Sequence, residues 1–266
     1  MRPVDRAHGR TVATVSFVGA GRLGSAIARA LAEAGLTVHG PFGRGERVPA
    51  ADVVLLCVPD AEIPGAARTH AGVGRHLGHT SGSAPIAEVD FGLHPLQTFL
   101  GAEGLEAFQG IGCAVTAHDP AALAVACELA GTLGARAFPI DDDARAAYHA
   151  AASIASNYLV TLQDAAEQMA TAAGLSRADA RALLAPLVRS TVENWAAHGP
   201  EFALTGPIAR GDGPTVDAQR AAVAGHSPEL LPLFDVLAER TRVLAERTPA
   251  LPERADVLAA RKETLP

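Results

Sequence analysis

Two histidines and an asparagine are the side chains best suited to chemistry. His149 and Asn157 lie in "YHAAASIASNY", with Ser153 midway between them. Spacing of i, i+4, i+8 puts all three along one side of a helix, and the alanines around them leave open space. His94 lies in "FGLHPLQTF" (91–99), ahead of a proline that enforces extended backbone, so it is expected in a loop. An imidazole titrates near pH 6.5, which suits it to protonate an alkoxide forming at neutrality. An asparagine amide can donate to the same oxygen and hold it in line. The candidate catalytic residues are therefore His149, Asn157 and His94, with His149 the leading proton donor. A separate polar segment, "ALTGPIARGDGPT" (203–215), sets Arg210 between two glycine turns. A guanidinium with hydroxyl and N–H groups nearby is what a substrate carboxylate requires. Thr205, Arg210 and Asp212, with Ser153, are the candidate substrate-binding residues. Asp212 either fixes Arg210 or caps a helix starting near Thr215.

A second kind of site opens the chain. "TVATVSFVGAGRLGSAIARALAEAGLTVHG" reads as strand, glycine turn, helix and strand, with Gly19, Gly21 and Gly24 forming G-x-G-x-x-G. Gly19 permits a tight turn, Gly21 lets a pyrophosphate approach the backbone, and Gly24 allows close helix–strand packing. The helix start at Arg22 and Leu23 supplies N–H groups and a positive dipole end. After the second strand, an NAD site would present an acid to the ribose. Here "LTVHGPFGRGER" offers none before Glu46 and instead offers Arg44, with Arg47 and Arg22 near. The expected cofactor is NADP(H).

These groups need a scaffold, and the pattern supplies one. "ADVVLLCVPD" (51–60) is a buried strand so close to the previous one that the helix between them is missing or reduced to a turn. "LGHTSGS" (77–83) is a further short strand and turn. "GIGCAVTA" and "ARAFPI" are strands flanking a helix over 119–134. Alternating strands and helices predict a doubly wound parallel sheet. Beyond Ile140 only helices are expected. Three aspartates are placed to cap a helix that ends at Gly174 and measures about 46 Å if unbroken. Ser176 and Asp179 open another over 177–198, and two more follow near 215–224 and 228–247. The expected domains are a dinucleotide-binding sheet domain, 1–142, and a helical substrate and dimerisation domain, 143–266, with the substrate cleft between them.

Composition narrows the partners. With 266 residues and 48% apolar content, the chain can build a substantial core. The net charge is −7 and the cations form no runs, which argues against nucleic acid or an anionic membrane as partner. No apolar run approaches the ~20 residues of a spanning helix, and Arg2, Arg6 and Arg10 only faintly mimic a leader. Cys57, Cys113 and Cys127 show no metal-type spacing and are expected as buried, reduced thiols in a cytoplasmic protein. No metal is expected.

Taken in order, "VGAGRLGSAIARAL", "CVPD", "HTSGS", "LHPLQTF", "YHAAASIASNYL" and "ALTGPIARGDGPTV" resemble the Rossmann-like proteins whose C-terminal half is domain of unknown function 2520. That group is similar to ketopantoate reductases, pyrroline-5-carboxylate reductases and 3-hydroxyacid dehydrogenases. The resemblance implies an NADP-linked reductase with a helical C-terminal domain, built as a homodimer through that domain. It adds Val58, Pro59 and Ser81, from "CVPD" and "HTSGS", to the cofactor-binding set. It also exposes a departure: the wider group carries K-x-x-x-N on the interdomain helix, where this chain has Ser153-Ile-Ala-Ser-Asn157, so the lysine proton donor is missing. The implied substrate is a small carboxylate-bearing carbonyl compound, a ketopantoate-like 2-oxo acid first. The alternatives are a cyclic imine of the pyrroline-carboxylate type, or an NADP(H)-binding sensor or scaffold without catalysis.

Overall fold

In the computed structural model, which describes residues 11–247, strands and helices alternate up to Pro139 and helices follow. The alternating part runs β1 (Thr14–Val18), α1 (Arg22–Glu33), β2 (Thr37–Phe42), β3 (Ala51–Leu56), α2 (Ile63–His70), β4 (Gly74–His79), β5 (Phe91–Pro95), β6 (Gly112–Ala117), α3 (Pro120–Thr132) and β7 (Arg136–Pro139). One sheet joins the strands in the order β2-β1-β3-β4-β5-β6-β7. β1 to β5 are parallel, β6 runs antiparallel to β5, and β7 is parallel to β6. No helix lies between β2 and β3, as their short separation predicts. The doubly wound α/β architecture followed by helices is thus the observed one.

Both faces of the sheet are covered, which is why its central strands are continuous apolar runs. Val15, Phe17, Val53 and Leu55 share one core with Ile27 and Leu31 of α1 and Val125 and Leu129 of α3. Their neighbours Val18, Val54 and Leu56 point the other way, onto Ile63 and Ala67 of α2. α1 ends where Gly35 takes φ +89°, a conformation that favours glycine. α3 begins where the Asp119 carboxylate accepts the N–H groups of Ala121 and Ala122.

Four local expectations need correction. His94 is in β5, paired with Ala114 of β6, and not in a loop; extended backbone before a proline is equally well met by a strand that ends at that proline. The long helix is two: α4 (Arg145–Ala155) and α5 (Asn157–Ala172), separated where Ser156 leaves helical geometry at φ −118°, ψ −70°. Serine and asparagine in tandem favour such a break, because their side chains compete for backbone groups. Asn157 therefore starts a new helix and does not extend the His149–Ser153 face. The three aspartates do not cap α4; Asp142 accepts the Ile86 N–H at 3.1 Å instead. Finally, Cys127 is exposed, while Cys113 is buried.

The described residues continue with α6 (Arg177–His198), α7 (Pro200–Ala203), α8 (Gly213–His226) and α9 (Leu231–Ala245). Ser176 caps α6 by accepting the Asp179 N–H at 3.1 Å. The chain divides into two compact units, the first ending at Tyr158 and the second beginning at Leu159. α4, and with it His149, belongs to the sheet unit. No helix among the described residues is long and apolar enough to cross a membrane. The arginines at 2, 6 and 10 lie outside the described residues.

Candidate active site at one edge of the sheet

The strand order reverses between β1 and β3, the place where open α/β sheets form a ligand crevice. Gly19 turns there with φ +104°, and a Cβ on it would lie 2.4 Å from the Cys57 carbonyl oxygen. Its N–H donates to the Phe42 carbonyl at 2.8 Å, tying the turn to the end of β2. A Cβ on Gly24 would lie 2.4 Å from the Gly19 carbonyl oxygen and 2.9 Å from Cys57 Cβ, so α1 lies as close to the strands as a backbone can. Gly21 differs: no atom lies within 4 Å of its Cβ position. It precedes a helix with neither a side-chain cap nor an acid in its first turn. The free N–H groups at Arg22 and Leu23 and the helix dipole leave an open, positive spot of the kind a pyrophosphate fills. Val58 and Pro59, which follow β3, wall the turn; Val58 Cγ1 is 3.2 Å from the Gly19 Cβ position.

Arg44 stands two residues beyond β2 with its side chain 86% exposed, paired with Glu62 at 2.9 Å. A surface pair of this kind is worth little, so the guanidinium can exchange partners. Ser81 serves locally: its Oγ accepts the N–H groups of Ser83 (3.1 Å) and Ala84 (2.9 Å) and shapes the loop after β4.

On the same edge, β5 and α4 bring three rings together. His94 and His149 have ring centroids 6.0 Å apart, and His94 and Tyr148 5.5 Å, each pair nearly perpendicular. His94 Nδ1 is 2.7 Å from the Tyr148 hydroxyl. Gly82 lies against both imidazoles: a Cβ there would be 2.7 Å from His149 Cδ2 and 2.9 Å from His94 Nε2. Burial, with the positive charge of Arg145 and the neighbouring His149, pushes the His94 pKa down to about 4. Burial pushes the Tyr148 hydroxyl up to about 12. At neutral pH His94 is thus a neutral ring beside a protonated phenol.

Arg145, only 1% exposed, anchors this arrangement. Its Nε donates to the Ala84 carbonyl at 2.7 Å, Nη1 to Thr116 Oγ1 at 3.0 Å, and Nη2 to the Ser81 carbonyl. Gly92 makes room for it, since a Cβ there would be 2.8 Å from Nη1. One buried guanidinium therefore fixes the first turn of α4 to the loop 81–84 and to β6.

The structure brings together the glycine turn, Val58 and Pro59, and it brings His94 to His149. Ser153 is half-buried one turn after His149, and Asn157 is exposed at the start of α5. Thr205 and Arg210 are exposed in the second compact unit. Asp212 caps α8, accepting the Thr215 N–H at 3.2 Å and its hydroxyl at 2.7 Å. Sequence reasoning missed Arg145, Tyr148 and Gly82. Tyr148 had a signal, being the neighbour of His149 and one of only two tyrosines; Arg145 was hidden behind three aspartates that suggested a solvated helix start.

Comparison with solved structures finds the same fold in other proteins. A proposed NADP oxidoreductase from Bacteroides fragilis matches with TM-score 0.73 at 21% identity, over 87% of this chain and 98% of that one. Protein TM1727 from Thermotoga maritima matches with TM-score 0.70 at 26% identity, over 88% and 98%. Pyrroline carboxylate reductase from Plasmodium falciparum, solved with NADP bound, matches with TM-score 0.57 at 13% identity, over 88% and 98%. No curated protein matches the sequence. The model of the domain of unknown function DUF2520 matches residues 111–241, from β6 into α9. That segment carries the DUF2520 match, and it follows a Rossmann-type sheet.

Proposed function

We propose that the chain is a cytoplasmic, NADPH-dependent oxidoreductase that reduces a small carboxylate-bearing carbonyl compound, with a ketopantoate-like 2-oxo acid as the first candidate. The observation that carries this reading is the placement of an open glycine turn and a half-buried histidine cluster on one edge of one sheet, three strand spacings or about 14 Å apart. The residues fit the cofactor: Gly21 and the start of α1 would hold the pyrophosphate, and Arg44 the 2′-phosphate. NADPH, when bound, supplies hydride. His94 and His149 would meet the substrate oxygen, taking up the role of the missing lysine. Arg210 and Thr205 would receive the carboxylate, from the same chain or from the partner in a homodimer built through the helical region. Val160 on α5 and Leu183, Leu187 and Trp195 on α6 are exposed, which supports such a pairing. A cyclic imine is the second substrate class, favoured by the neutrality of His94, because imine reduction makes less demand on an acid.

Cofactor binding tests this reading. NADPH should bind the native protein at least tenfold more tightly than NADH, a difference of about 1.4 kcal/mol. Arg44→Ala should remove most of that difference while leaving NADH affinity unchanged. Equal affinities in the native protein would rule Arg44 out as the 2′-phosphate ligand.

A further inference from the structure

We propose that Tyr148 is a positioning residue that sets the tautomer of His94, holding His94 Nε2–H as the donor to the substrate oxygen and leaving proton delivery to His149. The proposal rests on the carbonyl-reductase reading above and divides labour between two histidines that reading leaves equivalent.

Neighbouring residues on a helix point about 100° apart, so Tyr148 and His149 leave α4 in different directions. Both nevertheless touch the His94 ring. Tyr148 reaches Nδ1, and its own ring is packed against Phe138 of β7, with centroids 6.0 Å apart. Gly82 closes against His94 and His149, and no side chain could be added there without displacing them. The two carbonyls and the hydroxyl that hold Arg145 fix α4 against this loop. The His94 ring therefore has a defined orientation before any substrate arrives.

The proton count then decides the tautomer. The groups acting on His94 are Tyr148, His149 and Arg145 from α4, His79 from β4, and Asp60 after β3. Their balance, with burial, keeps the ring neutral, so one nitrogen carries the proton and the other accepts. The Tyr148 hydroxyl is protonated and lies 2.7 Å from Nδ1. If the phenol donates, Nδ1 accepts and Nε2 carries the hydrogen. In the opposite tautomer Nδ1–H would point at the phenol oxygen, and Nε2 would offer a lone pair that repels a carbonyl oxygen. Only the first tautomer is useful to a reductase. Hydride arriving at the carbonyl carbon turns its oxygen into an alkoxide. Nε2–H steadies that charge and keeps its own proton, because losing it would leave an imidazolate. Proton delivery to the alkoxide falls to His149, which is less enclosed than the residues of the core and can exchange protons with solvent.

The test is nitrogen NMR of the full-length protein labelled with ¹⁵N-histidine, with His94 assigned by its loss in His94→Gln. The native protein should show His94 protonated at Nε2 and bare at Nδ1. Tyr148→Phe should shift it toward a mixture of tautomers, lower kcat about tenfold, and leave KM and NADPH affinity nearly unchanged. A purely structural tyrosine would move none of the tautomer signals. A native His94 protonated at Nδ1 overturns the proposal, and so does an unchanged tautomer or unchanged kcat in Tyr148→Phe. Absence of turnover on every carbonyl substrate defeats the reductase reading instead, and the tautomer measurement on the native protein still decides the Tyr148–His94 link.

Discussion

At the scale of single residues, the proposed chemistry turns on His149. Its ring lies 6.0 Å from that of His94, and it stands one turn before Ser153 on a helix pinned by a buried arginine. His149→Ala should lower kcat by about 10²-fold, the usual cost of losing a positioned proton donor, while NADPH affinity is retained. Steady-state rates with cofactor titration check this; full kcat in the variant across pH 6–9 would pass the role to water. His94 makes a separate prediction through stability. Its pKa is about 4 in the folded protein and 6.5 in the unfolded chain, so protons favour unfolding as pH falls. The penalty is absent above pH 6.5 and grows between 6.5 and about 4, reaching roughly 3 kcal/mol. Denaturation midpoints measured over that window should fall more steeply for the native protein than for His94→Gln. Parallel curves would show that His94 titrates normally in the folded state.

At the scale of elements, the glycine turn separates binding from folding. Gly21→Ala adds a methyl where nothing lies within 4 Å, so the melting temperature should hold. NADPH affinity should fall about tenfold or more, because a methyl group displaces a phosphate hydrogen-bonded to backbone N–H groups. Gly24→Ala puts a methyl 2.4 Å from a carbonyl oxygen, so α1 must move away from β3 and stability should drop by about 1–3 kcal/mol. Thermal melts beside NADPH titrations check the pair; equal destabilisation by both would deny Gly21 its special role. This turn was legible in the sequence because each glycine answers a local backbone demand. β1, β3 and β6 were legible as apolar runs, and α3 and α6 by their caps. The break at Ser156 was not, since a serine–asparagine pair tips a helix only when surrounding packing allows it. Nor was the placement of His94 in a strand, because extended backbone before a proline serves strand and loop alike. Arg145 and Tyr148 matter through partners 29 to 64 residues away in the chain, and local pattern carries no trace of such pairings.

For the whole molecule, the account joins a sheet that can hold a dinucleotide to a helical region carrying an exposed arginine loop. The sheet unit contains both the glycine turn and the histidine cluster, the two features on which the proposed chemistry depends. The most direct measurement of the central claim is NADPH oxidation by the purified full-length protein against a panel of 2-oxo acids and cyclic imines. The account predicts turnover of at least one carboxylate-bearing member, faster with NADPH than with NADH and lost in His149→Ala. NADPH binding without oxidation on any member of the panel would contradict it and identify the chain as a binding protein.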